Sequence, residues 1–171
     1  QYHFLKRPYE LIPLTATFVP KPEYRDADGN LLTDDAAAET VRSVVYRIQI
    51  QPGILFQPHP AFAKSQDGEL LYHGMAVEEV EEFHQLSDFK QSGTRELTAH
   101  DYVYQIKRLA HPRIHSPIAS FMGRYIIGLK KLHSELQELG SNNNAFIDLR
   151  QFELAGVKVI DRYTYEIHLD E

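Results

Sequence analysis

Residues 95–121, RELTAHDYVYQIKRLAHPRIHSPIASF, decide how this chain is read. The stretch opens as a helix start. Thr98 is a favoured N-cap residue, and Asp101 three positions later completes a capping box with Asp in place of Glu. Val103, Ile106, Leu109 and Ala110 then recur at helical spacing, and Pro112 stops the helix. Ser116-Pro117 predicts a second start, a serine cap with proline at the first helical position. Ile118, Phe121, Met122 and Tyr125 would then line one face of the new helix.

The same stretch holds His100, His111 and His115, which raises the question of chemistry. Two histidines four apart ligate zinc well when they share a helix face. Pro112 lies between His111 and His115 and argues against a helix there, and no HExxH occurs. His100 and Asp101 do not make an acid–base pair, because neighbours on a helix point about 100° apart. The acidic run Glu78, Glu79, Glu81 and Glu82 lacks the spacing of a calcium loop and reads as a solvated face. No nucleophile elbow, P-loop or dinucleotide fingerprint is present. The residues therefore name no catalytic group, no metal ligand and no cofactor. One rival reading remains open, a metal-dependent enzyme domain that uses His111, His115 and an acid of the Glu-rich run.

Outward from this stretch the chain alternates between strands and helices. Residues 41–51, VRSVVYRIQIQ, form the clearest strand, with Val44, Tyr46, Ile48 and Ile50 on one face and Val45 the exception on the other. Pro52-Gly53 ends it, and residues 54–56 predict a second short strand. Residues 11–19 are apolar but carry Pro13 and are followed by Pro20, so a short or edge strand is expected at best. KPEYRDADGN, residues 21–30, carries a turn at Asp28-Gly29, and Asp34 and Asp35 predict a cap for a short helical turn at residues 36–38. Residues 58–70 read as a loop, and residues 75–89 as a short amphipathic helix with Val77, Val80 and Phe83 inward. Leu129, Leu132, Leu136 and Leu139 mark another helix that Gly140 ends, with SNNN after it as a loop. VKVI and YTYEIHL form an antiparallel hairpin turned by Asp161-Arg162 without glycine. Strands, then helices, then strands predict an α+β fold with a mostly antiparallel sheet and helices packed on one side.

Bulk properties exclude several classes. A chain of 171 residues supports a real core, and its 43% hydrophobic and 25% charged content is that of a globular protein. A net charge of −6 argues against nucleic acid as a partner. The absence of cysteine removes disulfides, thiolate nucleophiles and zinc–sulfur sites. Both ends read as mid-chain sequence, so one domain over residues 1–171, excised from a longer protein, is expected.

Several elements in order resemble the bacterial extracellular solute-binding proteins of family 5, the oligopeptide-, dipeptide- and nickel-type binding proteins of ABC importers. VVYRIQIQPGILF is similar to the family's strand and turn. Leu97, Thr98, Ala99 and Asp101 match its helix start, and Tyr104, Arg108, Leu109, Ala110 and Pro112 match the helix and its exit. Gly156, Val157, Val159, Asp161, Tyr163 and Thr164 match its hairpin. The match spans residues 44–169.

The resemblance implies domain two of a three-domain protein with a class II peptide-binding-protein fold. It further implies a non-catalytic lobe that supports the ligand cleft, in the periplasm. The implied partners are the remaining domains of the same polypeptide, an ABC permease in the inner membrane, and a peptide-like ligand in the full-length protein. Residues after the Ser-Pro pair would be ligand-binding candidates, here Ser116, Ile118 and Phe121. Ile118 stands where the family usually has an aromatic. Residues 57–96 depart from the family as a long insertion, whose alternative role is a protein–protein contact surface.

Overall fold

A computed structural model describes residues 1–142 and 147–170. By internal packing they divide into two compact units, Gln1–Gln51 with Thr98–Glu171, and Pro52–Leu97. The residues read as an insertion, 57–96, lie within the second unit.

The first unit is built on a four-stranded antiparallel sheet in the order β1-β2-β4-β3. Its strands are β1 (Pro22–Arg25), β2 (Ser43–Gln49), β3 (Val157–Val159) and β4 (Thr164–Asp170). The long central pair runs Val44 opposite Leu169, Tyr46 opposite Ile167 and Ile48 opposite Tyr165. Val157 and Val159 extend this row from the edge, opposite Ile167 and Tyr165. Since side chains alternate along a strand, one face of the sheet is apolar throughout. The other face carries Val45, Arg47, Glu166 and His168. Val45, the exception in the alternation, is buried.

The second unit holds the single-turn helix α1 (Val77–Val80). The first unit holds α2 (Ala99–Arg108), α3 (Ala119–Tyr125) and α4 (Leu129–Asn142). The α+β class with a mostly antiparallel sheet is therefore the observed one. Helix α2 starts as the sequence specifies. The Asp101 carboxylate accepts the Thr98 backbone N–H at 2.8 Å and the Thr98 hydroxyl at 3.0 Å. The helix then lies on the apolar sheet face, where Tyr102 stacks on Tyr165 at 5.2 Å between ring centres. The Tyr102 hydroxyl shares a 2.6 Å hydrogen bond with that of Thr15, so its polar end is satisfied. Leu129, Leu132 and Leu136 of α4 are buried and complete the core with Leu149, Leu154 and Val157.

Several expectations are corrected. Residues 11–19 form no strand; Leu11 and Ala16 make only isolated bridges to Tyr2 and Ile50. The first strand is instead PEYR, within the stretch read as a turn region, and it pairs Tyr24 with Val44 at the sheet edge. The turn near Asp34 and Asp35 forms later, at Ala38–Thr40, with Ala37 at its cap and no side-chain hydrogen bond. Residues 54–56 are no strand, and Leu55 makes a single bridge to Glu96. The helix expected over residues 75–89 is one turn, because closely spaced glutamates repel and both Val77 and Val80 stay exposed. Phe83 packs instead on Phe89, with ring centres 4.2 Å apart, and beside Tyr72.

The leucine stripe of α4 ends one residue early, since Leu139 is 50% exposed. Gly140 does not end the helix. A Cβ there would meet Cγ of Pro112 at 3.0 Å, so the glycine admits the proline ring against the helix side. Ser141 and Asn142 belong to α4, while the loop expected at residues 143–144 lies outside the described residues. The Asp161-Arg162 hairpin forms as expected. The Asp161 carboxylate accepts the Tyr163 N–H at 2.8 Å and does the turn's work without glycine.

Candidate functional site

Helix α3 carries the ligand-binding candidates. It begins at Ala119, with Ile118 as its N-cap and no side-chain cap bond, so Ser116-Pro117 is not the helix start. Ser116 instead contributes its carbonyl, which accepts the Ala119 N–H at 3.2 Å. Ile118 is 51% and Phe121 58% exposed. Phe121 lies against Tyr125, with ring centres 5.1 Å apart. Ile118 and Phe121 thus share an uncovered apolar stripe three residues apart, with Ser116 in the turn before it.

The histidines do not gather. His100 projects from the first turn of α2 and is exposed. His111 accepts the Arg113 N–H on Nδ1 at 3.1 Å, a local turn contact. Burial pushes its imidazole below the ordinary value, and the charges of Arg113 and Arg108 push it further the same way. Two cations beside the ring disfavour a dication there. His115 is exposed. Among the described residues no three His, Asp or Glu side chains come close enough to hold a metal.

A charge network on the sheet has no local signal in the sequence. On the polar sheet face Glu166, only 8% exposed, receives Arg47 Nε at 2.9 Å and Nη2 at 2.7 Å on one oxygen. Nε2 of His168 lies 3.0 Å from the other oxygen. Residues 47 and 166 are cross-strand partners, so the register itself makes the pair. A sequence signal exists, opposite charges at outward positions of two strands, but it cannot be read until those strands are known to pair. Burial pushes the Glu166 carboxyl up; hydrogen bonds from Arg47 and His168, with their charges, outweigh it and hold it below the ordinary glutamate value.

A carboxyl whose folded pKa is depressed stabilises the fold above its unfolded pKa, and that stability is lost as pH falls through the folded one. Urea midpoints are therefore expected to fall with acidification from about pH 5 to about pH 3. A Glu166→Gln variant should be weaker at neutral pH by about 1 kcal/mol, the half-exposed guanidinium being partly screened, and should show a flatter acid limb. Parallel acid limbs in both proteins would remove Glu166 from this role.

Burial also pushes the Tyr165 phenol up to about 12, with Tyr102 adding to the effect, so it stays protonated at neutral pH. A cavity of 630 Å³ lies among α2, α4 and β3. It mixes Lys107, Lys131 and Lys158 with Glu135 and Glu153, so its charges select no one ligand polarity. Burial lowers the Lys107 ammonium and the nearby Glu153 opposes that shift.

Two of the residues that resemble the solute-binding family, Ala99 and Gly156, make backbone contacts at two separate points of the fold. The Ala99 N–H, at the start of α2, donates to the Arg162 carbonyl in the hairpin turn at 2.9 Å. Gly156 donates to Ile127 O at 2.8 Å and its carbonyl accepts the His168 N–H at 2.7 Å. A Cβ on Gly156 would lie 2.7 Å from Ile127 N and closer still to Ile127 O, so this position excludes any larger residue. No family model, no curated protein and no solved structure matches the chain.

Proposed function

We propose that this chain is a non-catalytic lobe domain of a solute-binding protein serving an ABC importer for peptides or a similar solute. One observation carries the reading. LTAHD and GVKVIDRYT, stretches that resemble the family, are joined by the Ala99–Arg162 backbone hydrogen bond, and the helix between them stacks Tyr102 on Tyr165, the residue after the second stretch. Their characteristic residues are used for capping, turning and close approach, which is what a supporting lobe requires of them.

In this reading the sheet and α2 form a rigid body. Two lobes close about a hinge around the solute, and the closed form docks on a permease in the inner membrane. The remaining domains of the polypeptide complete the cleft, and the protein works in the periplasm. Ser116, Ile118 and Phe121 would meet solute only when an opposing lobe covers their exposed stripe, since a small-molecule site encloses most of its ligand's surface.

Isothermal titration with a peptide library tests the proposal on two proteins. The complete gene product is expected to give saturable binding, and the 171-residue chain none. Micromolar or tighter peptide binding by the chain alone, or no peptide binding by the complete gene product, would overturn it.

A further inference from the structure

Where the end of α2, α3 and the start of α4 come together there is a cavity of 510 Å³. Small-ligand sites occupy roughly 300–1,000 Å³. The lining includes Ala110 and Leu129, both buried, with Leu109 beside them. Arg124 and Lys130 supply the charge, and no acidic side chain contributes. On a chain of net charge −6 that imbalance is selective, and the 630 Å³ cavity does not share it.

The basic groups are also available. Neither Arg124 nor Lys130 has a carboxylate partner among the described residues. His133 Nδ1–H donates to the Ala110 carbonyl oxygen at 3.1 Å, which satisfies a group at the end of α2 and fixes the ring as part of the wall. The cavity also abuts the first residues of α4, whose backbone dipole favours negative charge.

Gly123 shows that the space is not a close helix contact. A Cβ added there would find only Lys130 Cβ and N, each at 4.0 Å. Its helical backbone accepts any side chain, so the position can be filled without strain.

The geometry points to a binding site for a small amphipathic carboxylate. Its apolar chain would lie over Leu109, Ala110 and Leu129, and its head group against Arg124 and Lys130. The inference does not rest on the transport reading, and it uses none of Ser116, Ile118 and Phe121. An apolar wall supplies affinity and the cations choose the head group, so a neutral or cationic analogue of equal chain length loses the selective part.

Isothermal titration of the 171-residue chain with decanoate, decanol and decyltrimethylammonium is the test. Decanoate is expected to bind saturably, at about one equivalent, and at least about tenfold tighter than either analogue. Gly123→Leu should weaken decanoate about tenfold or more while circular dichroism and Tm stay at or above those of the parent. If that variant misfolds, Arg124→Gln with Lys130→Gln, both at exposed positions, decides the matter: decanoate affinity should fall to that of decanol, which itself should not change. Equal binding of decanol and decanoate, undiminished decanoate binding in the folded Gly123→Leu or the double variant, or no decanoate binding up to millimolar concentration would overturn the site.

Discussion

Replacing Gly156 with alanine is expected to destabilise the sheet-bearing unit by about 3–4 kcal/mol, enough to shift its urea midpoint strongly or to prevent folding. The residue sits where the segment after α3 crosses the end of the hairpin. Three backbone hydrogen bonds meet around it: Gly156 N–H to Ile127 O, Ile127 N–H to His168 O, and His168 N–H to Gly156 O, at 2.8, 3.1 and 2.7 Å. A methyl group at this position collides with the peptide unit at Ile127 rather than with a side-chain end. Relief requires the two backbones to part, and parting breaks the bonds. Each lost bond costs about 1 kcal/mol and the steric strain adds to that. Urea denaturation followed by circular dichroism measures the change. A loss below about 1 kcal/mol would mean that the crossing is loose.

Leu136→Ala should cost about 3 kcal/mol, within the range of buried leucine deletions. Leu136 is 0% exposed at the middle of α4, between the buried Leu132 and the helix end that Pro112 approaches. The cavity left behind has rigid walls, because α4 is held along its side. Leu139→Ala is the internal comparison. It belongs to the same sequence stripe but is half exposed, so it should cost less than about 1 kcal/mol. Equal costs at the two positions in urea denaturation would mean that α4 does not seat on the core as described.

What the sequence disclosed follows from how local each signal is. The start of α2 was legible because Thr98 and Asp101 solve a local problem, the unpaired N–H groups of a helix start, with a pair three residues apart. The hairpin was legible because its strands alternate and its turn is closed by Asp161. By contrast, β1 is four residues long and begins on Pro22 at an edge, so it carries no alternation to detect. It exists because β2 offers it a partner. The buried stripe of α4 stops at Leu136 although the spacing continues to Leu139, because spacing cannot tell which turn runs past the end of the core.

Position within the candidate sites was less legible still. Ser116, Ile118 and Phe121 were placed by resemblance, and the structure sets Ile118 and Phe121 on an open stripe. The Arg47–Glu166–His168 network joins residues 119 positions apart and needs the strand register. The 510 Å³ cavity needs the relative placement of three helices. Within residues 95–121 His111 serves a turn, while Thr98, Asp101 and Tyr102 hold the fold.

The central claim is that residues 98–121 are scaffold locked to the hairpin. Native-state hydrogen exchange on Asp101→Ala tests it most directly. Loss of the cap should cost about 1 kcal/mol, and the slow amides of α2, β3 and β4 should all lose that amount together, because they open as one unit. Faster exchange confined to the first turn of α2, with β3 and β4 protected as in the parent, would contradict it.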